Sequence, residues 1–226
     1  MLSQALATHL GRVAQLYSGI VPGSTVSPRE ERPAPEAALQ DEMSAGLQAI
    51  RTAATQLSWP RALSVRTGMQ KGSWAHVYFV SLHDPEISTG PTKGFYPVFL
   101  LSVDQQVCWL TLILAAASVG ISGRGGWSGG RGASLRGRAA FLREHLGSVP
   151  GWLPGPIRLG PAETSVHTAP GSDRAAARAY ECGAIIARSF DPQAPPTHLE
   201  GWITEALWVP EIPGRGFRKF WAAPRR

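Results

Sequence analysis

Residues 71–101, KGSWAHVYFVSLHDPEISTGPTKGFYPVFLL, set two apolar, aromatic-rich runs around one polar loop, and each run opens on a glycine. The runs, Trp74–Leu82 and Phe95–Val103, read as strands. They alternate in the two-residue period only in part, as strands covered on both faces do. Successive side chains of a strand point to opposite faces, so Ala75, Val77, Phe79 and Ser81 share one face, and Tyr96, Val98 and Leu100 share another. If the two strands pair with these faces on the same side, Phe79, Tyr96 and Leu100 form a cluster of two rings and one aliphatic side chain. Such a cluster is large enough to sandwich a planar ring. A plain hydrophobic core is the alternative reading of the same pattern.

Outward from this stretch, Ala62–Arg66 reads as a strand before it. Val107–Leu114 reads as a strand after it, reached by the tight turn DQQ. Four neighbouring antiparallel strands in a meander are the economical topology. Leu2, Leu6, Leu10, Val13, Leu16 and Ile20 recur at helical spacing, so residues 2–20 predict an amphipathic helix. A Pro- and Ser-rich loop follows, then a second helix from about Glu36 to Gln56, ended by SWP. Ser134 is expected to cap a helix carrying Leu135, Ala139, Leu142 and Leu146 and closed by Gly147. A further helix is expected over Ser172–Phe190, with Ala176, Tyr180, Ala184 and Ile185 as its apolar positions, and a short one near His198–Leu207. The whole predicts a single α+β domain, residues 1–208, with a largely antiparallel central sheet flanked by helices, and a basic aromatic tail over 209–226.

Composition narrows the function. The chain has 226 residues and a net charge of +6. From Arg61 to Arg143 there are nine Lys or Arg against three acids, and the rest of the chain has thirteen of each. The entire surplus therefore lies in the central third. A focused positive field favours a polyanion as partner, although a solvated basic surface gives the same count. The two cysteines, Cys108 and Cys182, form no CxxC or Cys/His set, which predicts buried thiols rather than a disulfide or zinc site. The N-terminus lacks the basic start and continuous apolar stretch of a secretory signal, and the longest apolar run is too short for a membrane helix. A cytoplasmic protein with no membrane partner is the expectation. No cofactor is called for: GRGGWSGG lacks the Lys-Ser/Thr of a phosphate-binding loop.

Taken in order, GSWAHVYFVSL, ISTGPTKGFYPVFLLSVD, VCWLTLILA, LRGRAAFLREHLG, IRLG, AYECGAIIARSFD and LEGWITEAL resemble the MrcB-type family, the N-terminal DNA-binding domains of McrB and its relatives in modification-dependent restriction. The likeness runs from about Leu2 to Leu207. It implies a non-catalytic reader that turns a modified cytosine, 5-methyl or 5-hydroxymethyl in type, out of duplex DNA into a protein pocket. It also implies a role in defence against foreign DNA and a separate nuclease or GTPase/nuclease subunit for cleavage. Carried over by position, the pocket falls on Phe79, Tyr96 and Leu100. The family more often has Trp at the first of these, usually after a Pro that is Tyr78 here. The loop that meets the distorted duplex falls on Met69, Gln70, Lys71, Gly72 and Ser73, with Met69 or Gln70 as wedge. The family's loop carries a tyrosine beside its glycine, where this chain has Lys71.

The energetics of such a reader are demanding. Turning out a base costs a few kcal/mol, which the pocket must return through stacking and edge hydrogen bonds. Stacking on an aromatic returns about 1–3 kcal/mol. Burying one methyl against Leu100 or Phe79 adds only about 0.8 kcal/mol, about fourfold, so sharper discrimination needs pocket shape or loop contacts. Phosphate contacts are expected from Lys71, Lys93, Arg124 and Arg131, on glycine-rich loops. A rival reading takes Asp84, Glu86 and Lys93 as a nuclease metal site, but all three lie in one loop, and catalytic metals usually need carboxylates from separate elements. His76 and His83 read as surface or hydrogen-bonded histidines rather than ligands. A third reading keeps the fold as a protein-interaction subunit, with Trp202, Trp208 and Trp221 on a partner surface.

Overall fold

The computed structural model describes residues 1–17, 20, 33–57, 59–68, 77–92, 94–102, 104–116, 129–160 and 172–209, without the side chains of 129–131 and 172–176. These residues form α1 (Leu2–Tyr17), α2 (Ala34–Ala54), β1 (Ser64–Thr67), β2 (Phe79–His83), β3 (Phe95–Leu101), β4 (Cys108–Leu114), α3 (Gly129–Leu146), β5 (Leu153–Pro154), α4 (Ser172–Gly183), β6 (Ala184–Phe190) and α5 (Leu199–Trp208). The strands make one sheet in the order β1-β2-β3-β4-β6-β5, and every pairing in it is antiparallel. The expected α+β domain and its meander are present.

Two cores hold the layers together. On one face, Leu2, Leu6, Leu10 and Val13 of α1 and Leu39, Met43 and Ile50 of α2 join Val80, Leu82, Phe99, Leu101, Leu110 and Leu112 of the strands. Ile203, Ala206 and Leu207 of α5 close this core. On the other face, Tyr96, Val98, Leu100, Ile113, Ala184 and Ala187 pack with Ala177 of α4 and with Ile157 and Leu159 of the preceding loop. Every residue of β3 is buried, as a central strand covered on both faces requires. The β2–β3 ladder ends at Ser81↔Val98, one residue short of Pro97, which has no N–H to give. Leu82 and His83 still pair with β1, and β3 begins at Phe95.

Three expectations need correction. The helix that begins at Ser172 stops at Gly183, and Ala184–Phe190 is a strand paired with β4. Helix passes to strand with no intervening loop, and a Cβ on Gly183 would lie 2.8 Å from the Leu114 carbonyl oxygen. Only glycine permits that approach, and the Ile-Ile pair after it suits a buried strand. α3 begins at Gly129, so Ser134 stands inside the helix rather than at its cap. Gly147 does end the helix in the left-handed region, φ 66°, and its amide bonds to Arg143 O. β2 starts at Phe79 rather than Trp74, and residues 74–76 lie outside the described residues. Both cysteines are free and buried. Among the described residues no helix is long and apolar enough to cross a membrane.

Candidate functional site

Register decides which side chains meet. β2 and β3 pair with Phe79 opposite Leu100 and Ser81 opposite Val98. Tyr96, four residues before Leu100, therefore rises from the same face, and the three residues expected to cluster do so. The cluster is walled on its open side by α4, whose Tyr180 ring lies 5.8 Å from that of Phe79 at an interplanar angle of 55°. Tyr96 and Leu100 are 3% and 0% exposed, while Phe79 is only half buried. Phe79 is thus the rim of the cluster, and the other two are its floor and back wall. At the end of β1, a Cβ on Gly68 would lie 2.1 Å from the Phe79 ring, so the ring rests on bare backbone there. β1 ends at Thr67 and β2 begins at Phe79, so both strand ends lie beside this ring.

Tyr96 is fixed from two sides. Its hydroxyl donates to Pro91 O at 2.9 Å, and its ring lies 4.5 Å from the imidazole of His83. Burial, then the neighbouring Tyr180, holds the Tyr96 phenol well above its ordinary pKa. His83 is itself fully buried, with Nε2 2.8 Å from Ser81 Oγ and Nδ1 2.9 Å from Ser88 Oγ. Burial, with the Arg66 charge nearby, lowers its pKa to about 4, so the ring is neutral at physiological pH. It is a hydrogen-bonded histidine, as expected.

The carboxylates of the rival reading are engaged in structure. Asp84 accepts from Trp59 Nε1 at 3.0 Å, from the Glu86 amide at 3.0 Å and from the Arg61 guanidinium. Burial alone would raise its pKa, but the hydrogen bonds from Arg61, Glu86 N and Trp59 outweigh it and hold the carboxyl below the usual range. Arg61 also bridges to Glu86 at 3.3 Å. Among the described residues no group of three or more His, Cys, Asp or Glu is placed to hold a metal ion.

Met69 to Ser73, Lys93, Arg124 and His76 lie outside the described residues, as does the side chain of Arg131. Two residues that carried no role in the sequence analysis lie against this cluster. Tyr180 was read only as an apolar position of a long helix, and nothing local in the sequence tells a wall from a core residue. Arg66 is exposed on the edge strand β1 and stands opposite Ser81, hence on the same face as the cluster. Its signal in the sequence is a charged residue directly after Val65 in a strand-like run, and the structure does bury Val65 and expose Arg66.

Residues 30–200 match the family described as MrcB-like, N-terminal domain. No curated protein and no solved structure matches the chain.

Proposed function

The chain belongs to the MrcB-like N-terminal domain family, and on that premise we propose that it binds duplex DNA containing a modified cytosine and turns that base into the cluster of Phe79, Tyr96, Leu100 and Tyr180. The observation that carries this reading is the register of β2 and β3, which brings the three family pocket positions together beside an aromatic wall from α4. Two rings facing across an aliphatic floor supply the stacking that a base loses on leaving the duplex. For the base to enter, Tyr180 swings off Phe79, whose half-exposed rim is the natural point of entry. Arg66, on the same face, meets the phosphates, with Lys71, Lys93, Arg124 and Arg131 as further contacts. The wedge from Met69 to Ser73 joins strands that end beside Phe79, which suits a loop entering the gap left by the base. The domain acts as the specificity module of a restriction or defence system, and cleavage belongs to a separate nuclease or GTPase/nuclease subunit. The Asp84 nuclease reading loses its support, because that carboxylate is committed to Trp59 and Arg61.

The test is competition binding at fixed salt with matched duplexes carrying cytosine, 5-methylcytosine, 5-hydroxymethylcytosine, glucosylated hydroxymethylcytosine or N6-methyladenine at one position. Salt is fixed because a basic domain binds any DNA when it is low. Wild type is expected to prefer one modified cytosine, and Tyr96→Ala and Tyr180→Ala to lose that preference. Tyr180→Ala is the cleaner variant, since Tyr180 is less buried than Tyr96. Equal binding to all duplexes, unchanged in both variants, overturns the reading.

A further inference from the structure

The floor of this cluster is not wholly apolar. Ser81 and Val98 sit opposite one another in the middle of it, between the Phe79–Leu100 pair on one side and the His83–Tyr96 contact on the other. Ser81, His83 and Ser88 are 0%, 0% and 2% exposed, yet they form a continuous chain of hydrogen bonds. The chain has a direction. Ser88 Oγ donates to Gly90 O at 2.9 Å, so its oxygen accepts from His83 Nδ1–H, also at 2.9 Å. The neutral ring then carries its proton on Nδ1, and Nε2 is left as an acceptor. Ser81 Oγ, 2.8 Å away, donates to it in preference to the Arg66 carbonyl oxygen at 3.4 Å. Ser81 therefore holds its hydrogen toward His83 and offers lone pairs to whatever stands above the floor.

We propose that Ser81 reads the exocyclic amino group of the flipped base: its Oγ accepts an N–H from cytosine N4 or adenine N6, and it rejects the O4 carbonyl of thymine or uracil. The proposal rests on the base-pocket reading and adds to it the chemical class of base admitted. His83 and Ser88 are positioning residues, which keep the serine hydrogen away from the base. A carbonyl in place of the amino group faces lone pairs with no proton between them, in a site closed to water. Buried polar groups left unpaired in this way give steep discrimination, where an apolar floor of the same shape would not.

The experiment compares the full chain and its Ser81→Ala and Ser88→Ala variants on duplexes carrying 5-methylcytosine or thymine opposite one guanine. The two bases share the 5-methyl group and differ at the amino position. The thymine–guanine mismatch is easier to open, so a pocket that reads shape alone prefers thymine. Wild type is expected to prefer 5-methylcytosine, and Ser81→Ala to lose roughly tenfold of that ratio. Ser88→Ala, which frees the imidazole, is expected to lose a smaller part. An unchanged ratio in a Ser81→Ala protein that melts cooperatively overturns the proposal while leaving the pocket standing. Should Ser81→Ala not fold, the histidine-ring nitrogen spectrum of the wild type decides: an Nδ1–H tautomer at His83 upholds the acceptor, and an Nε2–H tautomer overturns it. If wild type shows no Tyr96-dependent preference for any modified cytosine, the pocket reading itself fails and takes this proposal with it.

Discussion

Phe79 concentrates what is particular to this member of the family. The likeness puts an indole at its position, whereas here a smaller ring rests on Gly68 and meets Tyr180 at 5.8 Å. In the proposed base pocket, a smaller rim would leave room for a larger substituent. Phe79→Trp is expected to lower the affinity ratio of 5-hydroxymethyl- over 5-methylcytosine DNA severalfold, on the scale of one buried carbon, about 0.8 kcal/mol. Unchanged ratios in the competition assay would remove the idea. Asp84 gives a contrasting expectation. Its carboxylate holds an indole, a guanidinium and an amide, so Asp84→Ala strands buried donors and is expected to lower stability by about 3 kcal/mol. Urea unfolding measures it, and DNA binding by the folded fraction should be intact.

At the scale of elements, the sequence was most legible where one period dominated. α1 shows its Leu2, Leu6, Leu10 stripe openly, and β3 and β4 are apolar runs of strand length between turn residues. The failure at residues 184–190 has a physical cause. Ala-Ile-Ile-Ala is apolar at every position, so it carries neither the helical nor the alternating period, and the helix before it extends into it on paper. What separates the two elements is Gly183, and its importance lies in a contact with Leu114 that is distant in sequence. Gly183→Ala sets a methyl against a backbone oxygen that has little room to yield. It is expected to cost about 2 kcal/mol in urea unfolding, more than an exposed helix position would show. For the same reason Tyr180 was invisible as a neighbour of Phe79: their contact depends on how α4 lies against the sheet. The pairing of Phe79 with Leu100, in contrast, followed from period and register once the two runs were taken as neighbours.

For the molecule as a whole, charge and protonation set the expectations. Folding lowers the His83 pKa from 6.5 to about 4, so the unfolded chain binds the extra proton first as pH falls. His9, buried between Glu42 and Tyr78, is shifted the same way by burial, against the pull of the Glu42 carboxylate. Stability is therefore complete above about pH 6.5. It is expected to decline toward pH 4, with His83 alone accounting for about 3 kcal/mol. Asp84, whose pKa is depressed, adds a loss that begins only below about pH 4. Urea midpoints across this range should show a shallower slope in His83→Gln, with the residual slope belonging to His9. The surplus of six positive charges in the central third predicts a steep salt dependence of DNA binding. Arg66→Ala is expected to weaken modified and unmodified duplexes alike and to reduce the log–log salt slope by about 0.9. A change confined to the modified duplex would move Arg66 from the phosphates to the base.

The two buried cysteines allow local and global opening of the fold to be timed separately. Cys182 lies two residues from Tyr180 on α4 and Cys108 is the fully buried first residue of β4, so a thiol reagent is expected to reach the first on a local opening of α4 and the second only when the sheet comes apart. Their labelling rates are two clocks in one chain, one for local opening and one for global collapse. If the proposed entry of a base displaces Tyr180 and loosens α4 with it, bound DNA should speed the Cys182 clock and leave the Cys108 clock unhurried.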